Sequence, residues 1–152
     1  MFMKLVLVDD DVLVCSALAR PLVRLGHASR TATTVESALA LVEAEDPTAV
    51  VTDLDLGPGG NGVELISALR RRGDRRRAIL MTGSDLGYAR ERLDAAGLED
   101  ITILAKPFEL AQLLEALGEP STRPISGLPR AEVPMSSFVG NVVRAFGGGR
   151  AV

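Results

Sequence analysis

The sequence predicts an α/β fold, a doubly wound (βα)5 arrangement with a parallel five-stranded sheet of order 2-1-3-4-5. Three observations predict it. Short apolar runs alternate five times with helical patterns between residue 3 and about residue 117. Most of these runs lack polar alternation, so both sheet faces are to be covered, the habit of parallel sheets. The second run is thin and polar, and right-handed crossovers leave such a strand at an edge.

Leu5-Val6-Leu7-Val8 is the first strand and ends in Asp9-Asp10-Asp11. Val14, Leu18, Leu22 and Leu25 follow at helical spacing, with Asp11 placed as N-cap and Gly26 as stop. Pro21 falls inside that helix and is expected to bend it or loosen its first half. Residues 28–33 are the thin, polar strand, and Val35, Ala38, Leu39 and Val42 mark the second helix. After Pro47, residues 49–53 form an apolar strand that ends on Asp53 and breaks into Gly57-Pro58-Gly59-Gly60-Asn61-Gly62. Val63, Ile66 and Leu69 mark the third helix. Residues 78–81 are the fourth strand, ending at Thr82-Gly83-Ser84-Asp85, and Leu86, Ala89, Leu93 and Ala96 give a helix stopped by Gly97. Residues 101–105 are the fifth strand, ending at Lys106-Pro107, and Leu110, Leu113, Leu114 and Leu117 make the last helix.

A chain of 152 residues with 47% hydrophobic content is one domain, or one domain with an appendage, and needs no staples. The composition changes at Gly118, after which Pro120, Pro124, Pro129 and Pro134 crowd together. The expected organisation is therefore a domain over 1–118 and a Pro/Gly-rich linker and tail over 119–152. In that tail Phe138, Val139, Val142, Val143 and Phe146 would line one face of a short amphipathic helix at 136–146.

Several classes are disfavoured. The single cysteine, Cys15, permits no internal disulfide, and the N-terminus lacks a signal-peptide pattern. No apolar stretch approaches the roughly 20 residues of a membrane span. The expected home is a reducing cytoplasm, without membrane contact. A net charge of −3 does not advertise nucleic-acid binding, and the absence of Trp argues against a base-stacking platform. Six Arg lie within the eight residues Arg70–Arg77; a solvated cap of a helix C-terminus explains them more simply than an anionic partner.

On the predicted sheet, Asp9 and Asp10 follow the first strand, Asp53 ends the third, Thr82 ends the fourth and Lys106 follows the fifth. Ligands of open α/β sheets bind outside the carboxyl ends of the strands. Three carboxylates at one place repel, and a hard divalent ion with oxygen ligands, Mg²⁺ above all, relieves that repulsion. An Asp beside such an ion can attack a phosphoryl group and form an acyl phosphate. A Lys ammonium and a Thr hydroxyl can balance the charge on the phosphoryl oxygens. Gly83 beside Thr82 leaves room for a phosphodonor.

This set, Asp9-Asp10, Asp53, Thr82 and Lys106-Pro107 in that order, resembles the receiver domains of two-component response regulators, of the CheY-like type within the flavodoxin-like folds. The resemblance covers residues 3 to about 117. It implies that Asp53 is the phosphoacceptor, that Asp9 and Asp10 hold Mg²⁺ with Asp53 and the backbone carbonyl of Asp55, that Thr82 is the switch hydroxyl and that Lys106 binds the phosphate. It also implies a cis Lys106-Pro107 bond. The partners implied are a sensor histidine kinase or a histidine phosphotransfer protein as donor and a protein target. With no helix-turn-helix pattern after the linker, no DNA-binding domain is expected, and the reading is a stand-alone signalling phosphoacceptor rather than an enzyme, with weak dimerisation allowed.

The sequence departs from the family pattern at three places. The loop after Asp53 is one residue longer, with Gly57 where Pro is common, so the third helix is expected to start differently. Ile103 stands where the family places Tyr or Phe, which leaves a phosphorylation-independent interaction module as one alternative. Asp55 adds a carboxylate two residues after the acceptor, expected to slow loss of the phosphoryl group. Asp53-Leu54-Asp55 also resembles the start of haloacid-dehalogenase-type phosphatases, but the order of the other motifs and the length disfavour that reading.

Overall fold

A computed structural model of the chain describes residues 2–118. The expected linker and the helix at 136–146 lie outside the described residues. Strands β1 (Lys4–Val8), β2 (Ala28–Ala32), β3 (Ala49–Asp53), β4 (Arg77–Thr82) and β5 (Thr102–Ala105) alternate with helices α1 (Val12–Arg24), α2 (Val35–Glu45), α3 (Gly62–Arg71), α4 (Leu86–Ala95) and α5 (Leu110–Ala116). The five parallel strands take the order β2-β1-β3-β4-β5, as predicted. The polar strand β2 is at an edge, with Arg30 and Thr31 exposed. The chain divides into two compact units that part between Leu80 and Met81.

In the first unit β1 pairs with β2 on one side, Lys4 opposite Ala28, and with β3 on the other, Leu5 opposite Ala49. Strand side chains alternate in direction. One face therefore presents Val6, Val8 and Val50, which pack with Ala38 and Val42 of α2 and Leu65 and Leu69 of α3. Leu5, Leu7 and Val51, one step out of phase, are equally buried. Helix α1 buries Cys15 and Leu22, and the Cys15 thiol points at the Leu7 carbonyl, Sγ to O 3.8 Å. The wholly apolar strands thus match a sheet buried on both faces.

Helix α1 differs in detail from its sequence pattern. Asp11 caps it, Oδ1 accepting from the Leu13 N–H at 3.0 Å, and the helix runs through Pro21 to Arg24. Leu25 is not inward but 53% exposed, because the helix has ended and Gly26, at φ 92°, turns the chain. The chain re-enters at His27, buried, whose Nδ1 accepts from the Met3 N–H at 3.0 Å and so fastens the start of β1.

The Arg-rich connection from α3 to β4 is partly structural. The Arg76 guanidinium donates through Nε to both Asp74 oxygens at 2.9 Å and through Nη1 to the Pro47 carbonyl. Arg70 Nη1 donates to the carbonyls of Asp74 and Arg76. Burial pushes the Asp74 carboxyl up, but the hydrogen bonds and charge of Arg76, with the charge of Arg70, outweigh it and hold the group below its ordinary value. Arg76 is raised in turn, first by its hydrogen bond to Asp74.

In the second unit Asp85 caps α4, and Ala89 and Leu93 are its buried residues. Ala96 is exposed, contrary to its place in the helical pattern, and Leu98 is buried instead, since the helix ends at Ala95 and Gly97, at φ 75°, reverses the chain. Helix α5 buries Leu113 and Ala116, followed by Leu117.

Candidate phosphoacceptor and metal site

The acid-rich end of the first unit is built by strand ends. Strand β1 delivers Asp9, only 1% exposed, and β3 delivers Asp53, 8% exposed. Asp10, one residue beyond Asp9, is exposed. One carboxylate oxygen from each of Asp9, Asp10 and Asp53 lies within 4.8 Å of the others. Asp9 is fixed twice: its N–H donates to the Ala32 carbonyl at 3.1 Å, and its Oδ1 accepts from the Asp11 N–H at 2.9 Å. Three anionic oxygen donors with mixed burial are a donor set for a hard cation that retains water, which fits Mg²⁺.

Asp55 is expected to contribute its backbone carbonyl rather than its side chain. Its carboxylate is outside this cluster, and its Oδ1 accepts from the Gly57 N–H at 2.9 Å. Its backbone forms an isolated antiparallel bridge with Asn61. Between them Gly57–Gly59 make a 3-10 turn, and Asn61 then caps α3, exchanging hydrogen bonds with Glu64. The longer loop thus ends in a self-contained helix start. Gly62, the first residue of α3, lies against the backbone of Asp53: a Cβ there would lie 2.5 Å from the Asp53 carbonyl oxygen.

In the second unit Thr82 ends β4, 1% exposed, and Lys106 follows β5. The Lys106 N–H donates to the Thr82 carbonyl at 2.8 Å, so the two residues are neighbours. Thr82 Oγ1 accepts from the Ser84 N–H at 2.9 Å, which leaves its own hydrogen to donate elsewhere. The Lys106-Pro107 bond is cis. Among the described residues, no atom outside Gly83 and its two chain neighbours comes within 4 Å of where a Cβ would be. Ile103, at the position of the family's aromatic residue, is 4% exposed.

Residues 5–118 match the family model described as the response regulator receiver domain. The chain belongs to that family. Among curated relatives, the acid tolerance regulatory protein ActR of Sinorhizobium medicae is 35% identical over 134 residues, 88% of this chain and 66% of its own length. The photosynthetic apparatus regulatory protein RegA of Rhodobacter capsulatus is 33% identical over 75% of this chain and 60% of its own. The chain therefore spans about two thirds or less of these relatives. Among solved structures, a response regulator from Burkholderia pseudomallei, with a phosphorylated aspartic acid, calcium ion and citrate, is 32% identical over 75% of this chain and 65% of its own, at TM-score 0.66. A CheY-like receiver from Methanospirillum hungatei, 24% identical with TM-score 0.68 over 78% of this chain and 93% of its own, shares the fold.

Sequence patterns placed Asp9, Asp53, Thr82 and Lys106 at or just beyond strand ends, where the structure has them. They did not reveal the engagement of the Asp55 carboxylate with Gly57 or the contact of Gly62 with Asp53, which depend on how the Gly-rich loop folds. The positive φ of Gly57 and Gly60 is what a run of glycines signals without placing it. Among the described residues no helix is long and apolar enough to cross a membrane.

Proposed function

We propose that the chain is a phosphorylation-dependent signalling receiver in which Asp53 takes a phosphoryl group from a phosphohistidine. The observation that carries the reading is the convergence of Asp9, Asp10 and Asp53 within 4.8 Å in a chain matched to the receiver family over residues 5–118. An oxygen of the Asp53 carboxylate attacks phosphorus; the O–P bond forms as the P–N bond to the donor imidazole breaks, and the imidazole nitrogen leaves with the electron pair. Asp9, Asp10 and Asp53 would hold Mg²⁺, with the backbone carbonyl of Asp55, and the ion would supply compensation for phosphoryl charge. Lys106 gives a second cation, and the Thr82 hydroxyl, its oxygen already accepting from Ser84, donates its hydrogen to a phosphoryl oxygen.

The donor is a sensor histidine kinase or a histidine phosphotransfer protein, and the phosphorylated form acts through contact with a protein target. The test is transfer from a radiolabelled phosphohistidine protein to the purified chain. Expected is a single Mg²⁺-dependent label, lost in Asp53→Asn. Repeated release of inorganic phosphate from a small monoester would overturn this in favour of a phosphatase.

A further inference from the structure

The Gly-rich loop after Asp53 reaches back to the neighbouring strand end. Gly57, held at φ 61°, leaves so little room toward the Asp10 carboxylate that a Cβ there would lie 3.1 Å from Asp10 Oδ2. Its N–H is tied to Asp55 Oδ1 at 2.9 Å, and its carbonyl accepts from the Gly60 N–H at 3.3 Å. The rest of the loop is seated with equal closeness on the connection between β2 and α2. A Cβ at Gly59 would meet Thr34 Cγ2 at 2.9 Å and the Thr33 carbonyl at 3.1 Å, and one at Gly60 would meet Val35 Cγ2 at 2.7 Å. The loop thus has a fixed seat on one side and Asp10 on the other. Asp10 is the exposed member of the acid cluster, the one least restrained by burial.

We propose that Gly57 is a positioning residue for Asp10: the loop backbone forms a wall that confines the Asp10 carboxylate to the side facing Asp9 and Asp53. This rests on the reading of that cluster as a Mg²⁺ site. The confinement is steric, since Gly57 contributes no ligand atom from its side chain. It restricts an exposed side chain that would otherwise sample several rotamers, so the cost of ordering Asp10 is met on folding rather than on binding.

Gly73 provides the control. It too has a left-handed backbone, φ 81°, but among the described residues nothing beyond its own chain neighbours lies within 4 Å of its missing Cβ. Gly57→Ala and Gly73→Ala therefore impose similar backbone strain, and only the first pushes on Asp10. The experiment is a Mg²⁺ titration of the ¹⁵N-labelled full chain, with affinity taken from amide shifts and folding read from the same spectra. Expected is wild-type binding, unchanged affinity in Gly73→Ala and a loss of about tenfold in Gly57→Ala, the scale of a residue supporting a ligand. Equal affinity of Gly57→Ala and wild type overturns the positioning role while leaving the metal site intact. An equal loss in Gly73→Ala also overturns it, by assigning the effect to strain. Absence of wild-type binding removes the metal site itself. Should Gly57→Ala not fold, Asp55→Ala frees the Gly57 N–H without adding atoms and is expected to weaken binding more than Asp55→Asn; equal losses overturn the proposal.

Discussion

The backbone N–H of Lys106 donates to the Thr82 carbonyl at 2.8 Å, so the two residues stand side by side where β5 and β4 end. If both serve the phosphoryl group, Lys106→Ala and Thr82→Ala each remove one contact made chiefly in the transition state. Labelling by acetyl phosphate and Mg²⁺ is then expected to slow about a hundredfold in either variant. Urea unfolding checks that the folds are retained, and an unchanged labelling rate in Lys106→Ala would remove the residue from the mechanism.

Gly62 has no room for a side chain, with the Asp53 carbonyl oxygen 2.5 Å and Leu80 Cδ1 2.7 Å from where its Cβ would be. Leu80 can shift, but the carbonyl belongs to the backbone of Asp53. Gly62→Ala is expected to lose about 1–3 kcal/mol in chemical denaturation through overpacking. Because the displaced group is Asp53, labelling is expected to fall as well. A variant of wild-type stability would show that the loop yields without cost.

Asp74 and Arg76 make a pH-dependent contribution. The Asp74 carboxyl is held below its ordinary value, so its contribution is fully present above the unfolded-state value, about 4, and is lost as pH falls through the lower folded value. Asp74→Asn is expected to cost up to about 1.5–3 kcal/mol at neutral pH, the range for a hydrogen bond to a charged group. The gap from wild type is expected to narrow below about pH 4, measured by urea unfolding at several pH values. A gap that widens in acid would reverse the sign and contradict the assignment.

Asp55→Asn separates charge from geometry at the loop. An Asn oxygen can still accept from the Gly57 N–H, now at 2.9 Å from Asp55 Oδ1, so the change removes charge and keeps the turn. If the carboxylate disfavours approach of hydroxide, the phosphorylated variant loses its phosphoryl group sooner, by up to a few fold, an effect of exposed charge screened by solvent. A longer lifetime, followed by release of inorganic phosphate, would contradict this role.

The fold was legible because each apolar run is short, continuous and followed by a helical pattern, and because the thin composition of residues 28–33 marks an edge. The positions of the candidate residues were legible for the same reason: Asp9, Asp53 and Thr82 each stand where a strand stops. What the sequence could not convey was orientation after an element ends. Leu25 and Ala96 keep helical spacing on paper but fall beyond α1 and α4, where Gly26 and Gly97 redirect the chain. Asp55 and Gly57 are likewise ordinary loop residues until the turn is folded. Their contacts arise from a left-handed glycine, and a run of glycines does not say which one takes that conformation.

The central claim is that Asp53 is the phosphoacceptor of an acid-lined metal site. Intact-protein and peptide mass spectrometry after exposure to acetyl phosphate and Mg²⁺ tests it most directly. The predicted result is one phosphoryl group on Asp53, dependent on Mg²⁺ and absent in Asp53→Asn. Unmodified protein under those conditions, or an equal modification persisting in Asp53→Asn, would contradict it.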